Sequence, residues 1–345
     1  MQAQDKPKYL IIGPSWVGDM VMSQSLYKVL RQRHSECDIT VMAPAWTQPL
    51  LERMPEVSQS MALDLQHGEL NLGKRKEIGR SLRDAGFTDA IVLPNSLKSA
   101  LIPFHAGIRR RVGWRGEMRY FLLNDCRRLN KAAFPLMVQR FAALGTASAH
   151  RPPEDIPRPS LVTSFDQIHQ AREKLGLQSL SRVLALCPGA EFGSSKQWPA
   201  EHYAALSNYL LRAGWQVWIF GSDNDSLMAE AIMADIDDEQ RERCQDLTGK
   251  TSLGEAIDLL SQAECVVSND SGLMHIAAAL GKPIVALFGS TSPEFTPPLT
   301  DKVKLLSTQI ECRPCFKREC PYGHKRCLTE IKPEQAVAAI HELAL

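Results

Sequence analysis

The sequence predicts an α/β protein made of two Rossmann-like domains, each with a mainly parallel sheet. Short apolar runs typical of buried strands alternate with stretches of helical period along the 345 residues. Alternation of this kind implies right-handed βαβ connections. A proline-rich stretch, residues 150–159, interrupts the series, and the same alternation then begins again. We therefore predict domains at residues 1–160 and 161–345 that enclose a cleft, with a final helix packing back toward the first domain.

The composition is that of a globular protein. Hydrophobic residues make up 44% of the chain and charged residues 23%, which provides ample material for two cores. A formal net charge of +1 argues against bulk binding of nucleic acid. No apolar run approaches the roughly 18 residues that cross a bilayer, and the polar residues 1–8 lead directly into a strand pattern. We therefore expect a cytoplasmic protein with neither a signal peptide nor a transmembrane helix.

The first strand pattern leads to a candidate catalytic carboxylate. Residues 9–12 read as a buried strand, residues 13–20 as a glycine-bearing loop, and residues 21–33 as a helix. The loop has neither the G-x-G-x-x-G fingerprint nor the G-K-[ST] ending of a phosphate loop. Asp19 lies where the loop meets the helix, at the strand end where open α/β sheets place their chemistry. The alternative is a helix N-cap or a first-turn acid with no reactive role.

A basic stretch follows the strand pattern at residues 90–93. Residues 98–128 contain eight cations against only Glu117 and Asp125, and Arg115 and Arg119 stand beside Trp114 and Tyr120. Guanidinium groups bind phosphate in bidentate fashion and aromatic faces stack on sugars, so an acidic, phosphate-bearing carbohydrate would suit this surface. A solvated basic rim without a ligand is the alternative, and no recognition module for nucleic acid is visible.

The second half of the chain places three polar loops directly after strands. Strand patterns at residues 183–187 and 217–220 alternate with helical patterns at residues 202–213 and 252–263. The first loop can wrap a phosphate with its backbone amides and serine hydroxyls, while a lysine adds a compact positive charge. The second loop carries carboxylates that could hold sugar hydroxyls. The residues in question are Gly193, Ser194, Ser195 and Lys196 in the first loop and Asp225 in the second.

The third loop begins the unit N-D-S-G-L-M-H-I-A-A-A-L at residues 269–280. A strand pattern precedes it, and a second strand pattern at residues 284–288 follows its helix. Asn269 or Asp270 can cap this helix, and Gly272 lets a ligand approach the backbone. The amides of the first turn then form a site for an anion such as a diphosphate. An ordinary capped helix with His275 in the core is the alternative.

Four cysteines cluster near the end of the chain. The spacing is C-x2-C-x4-C-x6-C, which is not that of a paired C-x2-C ribbon, and a basic, loop-like sequence surrounds it. Three alternatives stay open for Cys312, Cys315, Cys320 and Cys327: a structural zinc site, a pair of thiols able to form a disulfide, or reduced packing. The odd total of nine cysteines suits reduced thiols elsewhere in the chain. Residues 333–345 read as a closing helix with proline in its first turn.

These motifs together carry a family resemblance. S-W-V-G-D-M at residues 15–20, P-G-A-E-F-G-S-S-K-Q-W-P at residues 188–199 and the 269–280 unit resemble the lipopolysaccharide core heptosyltransferases of glycosyltransferase family 9. The resemblance extends from residue 9 to about residue 299 and includes P-N-S-L-K-S-A and V-G-W-R-G-E-M-R-Y. It implies a GT-B architecture, with the acceptor held mainly by the first domain and the sugar nucleotide by the second. It also implies inverting transfer of a heptose from ADP-heptose to the first heptose of the lipopolysaccharide inner core.

The resemblance also assigns residues. Asp19 matches the general base, which removes a proton from the attacking sugar hydroxyl. Lys196 matches the lysine that offsets the charge on departing ADP. Donor binding is implied for Ser194, Ser195, Lys196, Asp225, Asp270, Ser271, Gly272 and His275, and we assign acceptor binding to Asn95, Lys98, Arg115 and Arg119. No cofactor and no catalytic metal are implied. The expected partners are ADP-heptose and a lipid-anchored acceptor, through which the protein would contact the inner membrane.

Three alternatives to this reaction stay open. The chain could be a different lipopolysaccharide core heptosyltransferase, which would use another acceptor. It could be a sugar-nucleotide epimerase of the same architecture, which would convert its donor without a separate acceptor. A non-catalytic, cysteine-clustered module that binds nucleic acid or a protein partner is the third, and it predicts salt-sensitive oligonucleotide binding and no affinity for the donor.

Overall fold

A computed structural model describes residues 6–65, 69–147, 150–177 and 182–343. The chain divides into two compact units, Met1–Pro159 and Ser160–Leu345. Each unit contains one six-stranded sheet in which every neighbouring pair of strands is parallel. The predicted α/β class with parallel sheets is therefore confirmed.

The first unit has strand order β3-β2-β1-β4-β5-β6. Its central strands are buried on both faces, as all-parallel sheets require, and Ile11 of β1 lies opposite Ile91 of β4. The strands are β1 (Lys8–Ile12), β2 (Asp38–Ala43), β3 (Gln59–Ala62), β4 (Asp89–Val92), β5 (Arg110–Trp114) and β6 (Asp125–Arg127). The helices are α1 (Val17–Arg33), α2 (Gln48–Leu51), α3 (Leu72–Ser81), α4 (Leu97–His105) and α5 (Met137–Leu144).

The second unit repeats the plan with strand order β12-β11-β10-β7-β8-β9. Its strands are β7 (Val183–Cys187), β8 (Gln216–Ile219), β9 (Cys244–Asp246), β10 (Cys265–Asn269), β11 (Ile284–Leu287) and β12 (Val303–Leu306). Its helices are α6 (Phe165–Lys174), α7 (Ala200–Arg212), α8 (Ser226–Ala234), α9 (Leu253–Leu260), α10 (Gly272–Ala279), α11 (Arg326–Thr329) and α12 (Pro333–Glu342). The carboxyl ends of β11, β10, β7 and β8 lie side by side, so the loops that follow them share one edge.

The start of one predicted helix differs from the structure. Helix α1 begins at Val17, one turn earlier than the predicted residue 21, so Asp19 lies inside the first turn. The closing helix α12 buries Ala336, Ala339 and Ile340 in the core of its own unit, and its packing toward the first domain stays a prediction. Among the described residues, no helix is long and apolar enough to cross a membrane.

Candidate functional site

The loop after β10 is organised by side-chain hydrogen bonds that do not cap its helix. Asn269 accepts the backbone N–H of Trp198 at 3.2 Å and donates to the carbonyl of Pro188 at 2.6 Å. The prediction that Asn269 or Asp270 caps α10 is therefore wrong. The N-cap is Ser271, and its side chain makes no capping hydrogen bond to the described part of the chain. Without that cap, the first amides of α10 keep their capacity to bind an anion.

Lys196 and Asp270 form the charged centre of this edge. The ammonium of Lys196 donates to the Asp270 carboxylate at 2.7 Å and to its carbonyl at 3.2 Å. Thr291, which follows β11, donates to the same carboxylate oxygen at 2.7 Å. Both charged side chains are largely buried, so the pair holds the positive charge of Lys196 at a fixed place beside the start of α10.

His275 lies one turn into α10 and is buried. Burial lowers the pKa of its imidazole to about 4; the Asp270 carboxylate opposes this shift and Lys196 adds to it. The side chain is therefore neutral at physiological pH. A neutral imidazole can support the helix start but adds no positive charge for a phosphate.

The loop after β7 approaches the C-terminal segment closely. The hydroxyl of Ser195 bonds with that of Ser290 at 2.9 Å and donates to the carbonyl of Lys317, and the Ser195 N–H donates to Arg318. Gly193 has a φ of +152°, and a Cβ at this position would lie 2.3 Å from the Arg318 carbonyl oxygen. The buried Ser195 hydroxyl therefore shapes the loop, while the side chain of Ser194 is partly exposed.

Asp225 lies against the same loop from the other side. Its carboxylate accepts the backbone N–H of Ser222 at 2.8 Å and the Ser222 hydroxyl at 2.9 Å. A Cβ on Gly189 would come within 2.6 Å of that carboxylate. Asp225 thus closes its own turn and adjoins the β7 loop, which places it beside the predicted donor-binding residues of this unit.

Phe192 is a site residue that the sequence analysis missed. The Lys196 ammonium lies 5.0 Å and the Arg318 guanidinium 5.6 Å from the centre of its ring. Cations over an aromatic face are attracted by its electron density. Phe192 therefore brings two positive charges to one place. Phe192 belongs to the P-G-A-E-F-G part of the motif, but its partner Arg318 is 126 positions away. No local sequence pattern joins the two residues.

Asp19 in the first unit is a first-turn acid of α1 with an unusual environment. Burial raises the pKa of its carboxyl from 3.8 to about 6. The Asp19 carboxylate has no hydrogen bond or ion pair to any described residue. The N-cap of α1 is Trp16. A carboxylate with this pKa is ionised at neutral pH and still basic enough to take up a proton.

The four predicted acceptor-binding residues lie after the neighbouring strands β4 and β5, but they differ in exposure. Asn95 and Arg115 are exposed and Lys98 is partly exposed, whereas Arg119 is buried. The Arg119 guanidinium donates to Asn95 Oδ1 at 3.0 Å and to the carbonyls of Pro94 and Trp114. Arg119 therefore ties the two loops together, and Arg115 stacks on Tyr120, 5.1 Å from the ring centre.

The four clustered cysteines line one small cavity together with Ser195 and Ser290. All four thiols are free, so the disulfide alternative is not realised here. Within the described ranges, no group of three or more His, Cys, Asp or Glu residues is arranged to hold a metal ion. The cluster therefore lies against Ser195 of the β7 loop.

Comparisons with known proteins agree with these observations. Residues 75–326 match the family model described as glycosyltransferase family 9 (heptosyltransferase). The chain is 46% identical to lipopolysaccharide heptosyltransferase 2 of Salmonella typhimurium, covering 97% of this chain and 98% of the relative. It is 47% identical to lipooligosaccharide heptosyltransferase 2 of Haemophilus influenzae, with the same coverage. The solved structure of Escherichia coli ADP-heptose lps heptosyltransferase II aligns with a TM-score of 0.89 at 43% identity, over 97% of this chain and 98% of that one. These similarities confirm the predicted GT-B class of fold.

Proposed function

This chain belongs to glycosyltransferase family 9, and we propose that it catalyses the reaction of the heptosyltransferase II enzymes. In that reaction, L-glycero-D-manno-heptose moves from ADP-heptose to the first heptose of the lipopolysaccharide inner core, with inversion at the anomeric carbon. Similarity over nearly the full length of enzymes with this name supports the proposal. The observation that carries it is the 2.7 Å pair of Lys196 and Asp270 beside the uncapped start of α10.

The donor's diphosphate would bind at the start of α10. The first amides of that helix, beginning at Gly272, and the partial positive charge of the helix end both favour an anion there. Lys196 would contact the diphosphate while Asp270 keeps its ammonium in place. As the bond to the anomeric carbon breaks, negative charge grows on ADP, and a fixed positive charge stabilises that transition state. Ser194 and Ser271 have partly exposed hydroxyls that can add hydrogen bonds.

The acceptor hydroxyl would lose its proton to Asp19. A sugar hydroxyl is a weak nucleophile, and a carboxylate within hydrogen-bond reach can take its proton as the new bond forms. A pKa of about 6 suits this role because the base is ionised at neutral pH. We propose that the reaction needs no catalytic metal, since Lys196 and the start of α10 supply positive charge to the leaving group.

The acceptor would be held by residues that follow β4 and β5, of which Lys98 lies in the first turn of α4. Asn95, Lys98 and Arg115 offer an amide and two cations, which suit a phosphorylated sugar. We assign Arg119 a positioning role, because its guanidinium already bonds to the backbone of both loops. The acceptor is anchored in lipid, so the enzyme would work on the cytoplasmic face of the inner membrane.

Transfer assays with defined core acceptors test the proposal. Activity is expected with an acceptor that carries the first heptose and not with one that lacks it. Conversion of ADP-heptose in the absence of any acceptor would indicate an epimerase instead. Lys174→Ala is a matched control for Lys196→Ala, because Lys174 also forms a 2.7 Å pair, with Glu255, but on an exposed surface. The control is expected to keep full activity, and a loss equal to that of Lys196→Ala would remove the case for Lys196.

A further inference from the structure

A loop on the first unit exposes large apolar side chains. The loop consists of residues 116–124, between β5 and β6, and we call it the Met118 loop. Met118 is 82% exposed, Phe121 90% and Tyr120 45%. Three such side chains within four consecutive positions form a local apolar surface, which costs solubility unless something covers it.

The fold holds this surface in place. On one side of Met118, the Glu117 carboxylate accepts the backbone N–H of Leu97 at 2.7 Å. On the other side, Arg119 is buried and donates to the backbone of the β4 and β5 loops. Glu117 and Met118 have φ values of 41° and 53°, a region that is unfavourable for residues other than glycine. The exposure of Met118 is therefore a property of a fixed loop that retains backbone strain.

The surroundings of the loop are strongly basic. Residues 98–128 carry eight cations and two acids, and both acids are already engaged. Glu117 bonds to Leu97, and Asp125 pairs with Arg110 and Arg127. Arg115 and Arg109 have no carboxylate partner among the described residues. Arg115 stacks on Tyr120, and the Arg109 carbonyl accepts a hydrogen bond from Asn124 at the end of the loop.

We propose that the Met118 loop docks directly on an anionic lipid bilayer. Met118 and Phe121 would enter the boundary between headgroups and acyl chains, while Arg109 binds lipid phosphates. Charge complementarity favours an anionic bilayer as the partner. The apolar side chains match the acyl chains, and the bordering cations, which have no carboxylate partner among the described residues, match the anionic headgroups. The inference rests on the proposed function for its purpose: Arg119 joins this loop to Asn95, so docking would bring the acceptor-binding loops to a lipid-anchored acceptor.

Vesicle flotation with the full chain, in the absence of donor and acceptor, tests lipid binding alone. The probes are vesicles of phosphatidylcholine with and without phosphatidylglycerol. Wild type is expected to bind only the anionic vesicles, and more weakly at high salt. Met118→Ser with Phe121→Ser should weaken binding about tenfold or more, since two apolar side chains no longer enter the bilayer. The matched control, Leu227→Ser with Phe165→Ser, removes side chains that are 80% and 79% exposed on the second unit and should change nothing.

A charge variant tests the second half of the proposal. Arg109→Glu should also weaken binding to anionic vesicles, with thermal unfolding as the check on folding. Equal binding by wild type and the Met118/Phe121 double variant would overturn the proposal, and so would equal loss in the control pair. Retained vesicle binding without heptose transfer to any acceptor would instead contradict the proposed function and would still support lipid docking by the Met118 loop. Loss of vesicle binding with unchanged transfer to a delipidated acceptor is expected of the double variant.

Discussion

Replacing Asp19 by asparagine separates catalysis from stability. The substitution keeps the shape of the side chain and removes its charge. Burial raises the pKa of Asp19 from 3.8 to about 6, so the folded state favours the protonated acid. A group of this kind contributes stability below the unfolded value of 3.8 and loses that contribution as pH rises through about 6. A difference of one in pKa corresponds to about 1.4 kcal/mol, so at pH 7 the buried charge lowers the free energy of unfolding by at most about 3 kcal/mol. Asp19 keeps partial contact with water, which lowers the actual cost.

The stability of Asp19→Asn is therefore expected to rise at neutral pH. Urea unfolding should show a gain of about 1 to 3 kcal/mol at pH 7 that shrinks as the pH approaches 4. Asp166→Asn is the matched control, because Asp166 also lies in the first turn of a helix but is exposed. That control is expected to leave both stability and turnover close to wild type.

Turnover should change in the opposite direction. Loss of a general base costs about 10²- to 10⁴-fold in kcat, while the KM for ADP-heptose should stay the same. Wild-type kcat should fall about tenfold for each pH unit below about 6 as the base becomes protonated. The kcat of the variant should not show this decrease. Full turnover in Asp19→Asn would remove Asp19 from the mechanism. A variant less stable than wild type at pH 7 would contradict the assignment of the raised pKa to burial.

Three further predictions follow from the second unit. Lys196→Ala should weaken donor binding and lower kcat about 10²-fold or more, whereas Thr291→Val, which removes one hydrogen bond to the same carboxylate, should stay within about tenfold of wild type; equal kinetics for the two variants would contradict the role of the lysine. His275 has a pKa near 4, so stability should fall by up to about 3 kcal/mol as pH drops from 6.5 through 4; His275→Gln should remove this component in urea unfolding, and an imidazole NMR titration near 6.5 would refute it. Iodoacetamide should label Cys320 before Cys327: although burial raises the pKa of Cys320, four backbone N–H groups outweigh it and lower that pKa, while burial raises the pKa of Cys327. Peptide mapping by mass spectrometry measures the order, and equal labelling would contradict it.

Strands were easier to predict than the first turns of helices. The apolar run Val183–Cys187 was predicted at its exact bounds, because a central parallel strand is buried on both faces and is continuously apolar. The start of α1 was placed one turn too late. Glycine and aspartate in its first turn, at positions 18 and 19, break the apolar period there. The N-cap is Trp16, which is not a capping residue type, so no capping signal marks the start of the helix.

The sequence predicts which residues belong to the site but not which partners their side chains contact. The sequence places Asn269 and Asp270 before a helix, where either could cap it. Their actual partners include Trp198, Pro188 and Lys196, which are more than 70 positions away, and Thr291, which is 21 positions away. Arg119 illustrates the same limit: two of the eight cations in this stretch, Arg119 and Arg127, are buried, and nothing local distinguishes them from the other six. Long-range hydrogen bonds decide between two locally reasonable roles, and a single sequence does not display them.

The close approach of the β7 loop to the C-terminal segment gives the cysteine cluster a structural role. Gly193 has no room for a side chain because the Arg318 carbonyl lies where a Cβ would be. Ser195 bonds to the carbonyls of Lys317 and Arg318, so two positions of the loop, Gly193 and Ser195, lie directly against the segment. Cys315 and Cys320 flank this part of the segment, and both line the cavity together with Ser195. Because Lys196 directly follows Ser195, we expect the packing of these cysteines to affect the position of Lys196 and, with it, the proposed contact with the donor. A modification that enlarges one of them would act on donor binding without touching the donor.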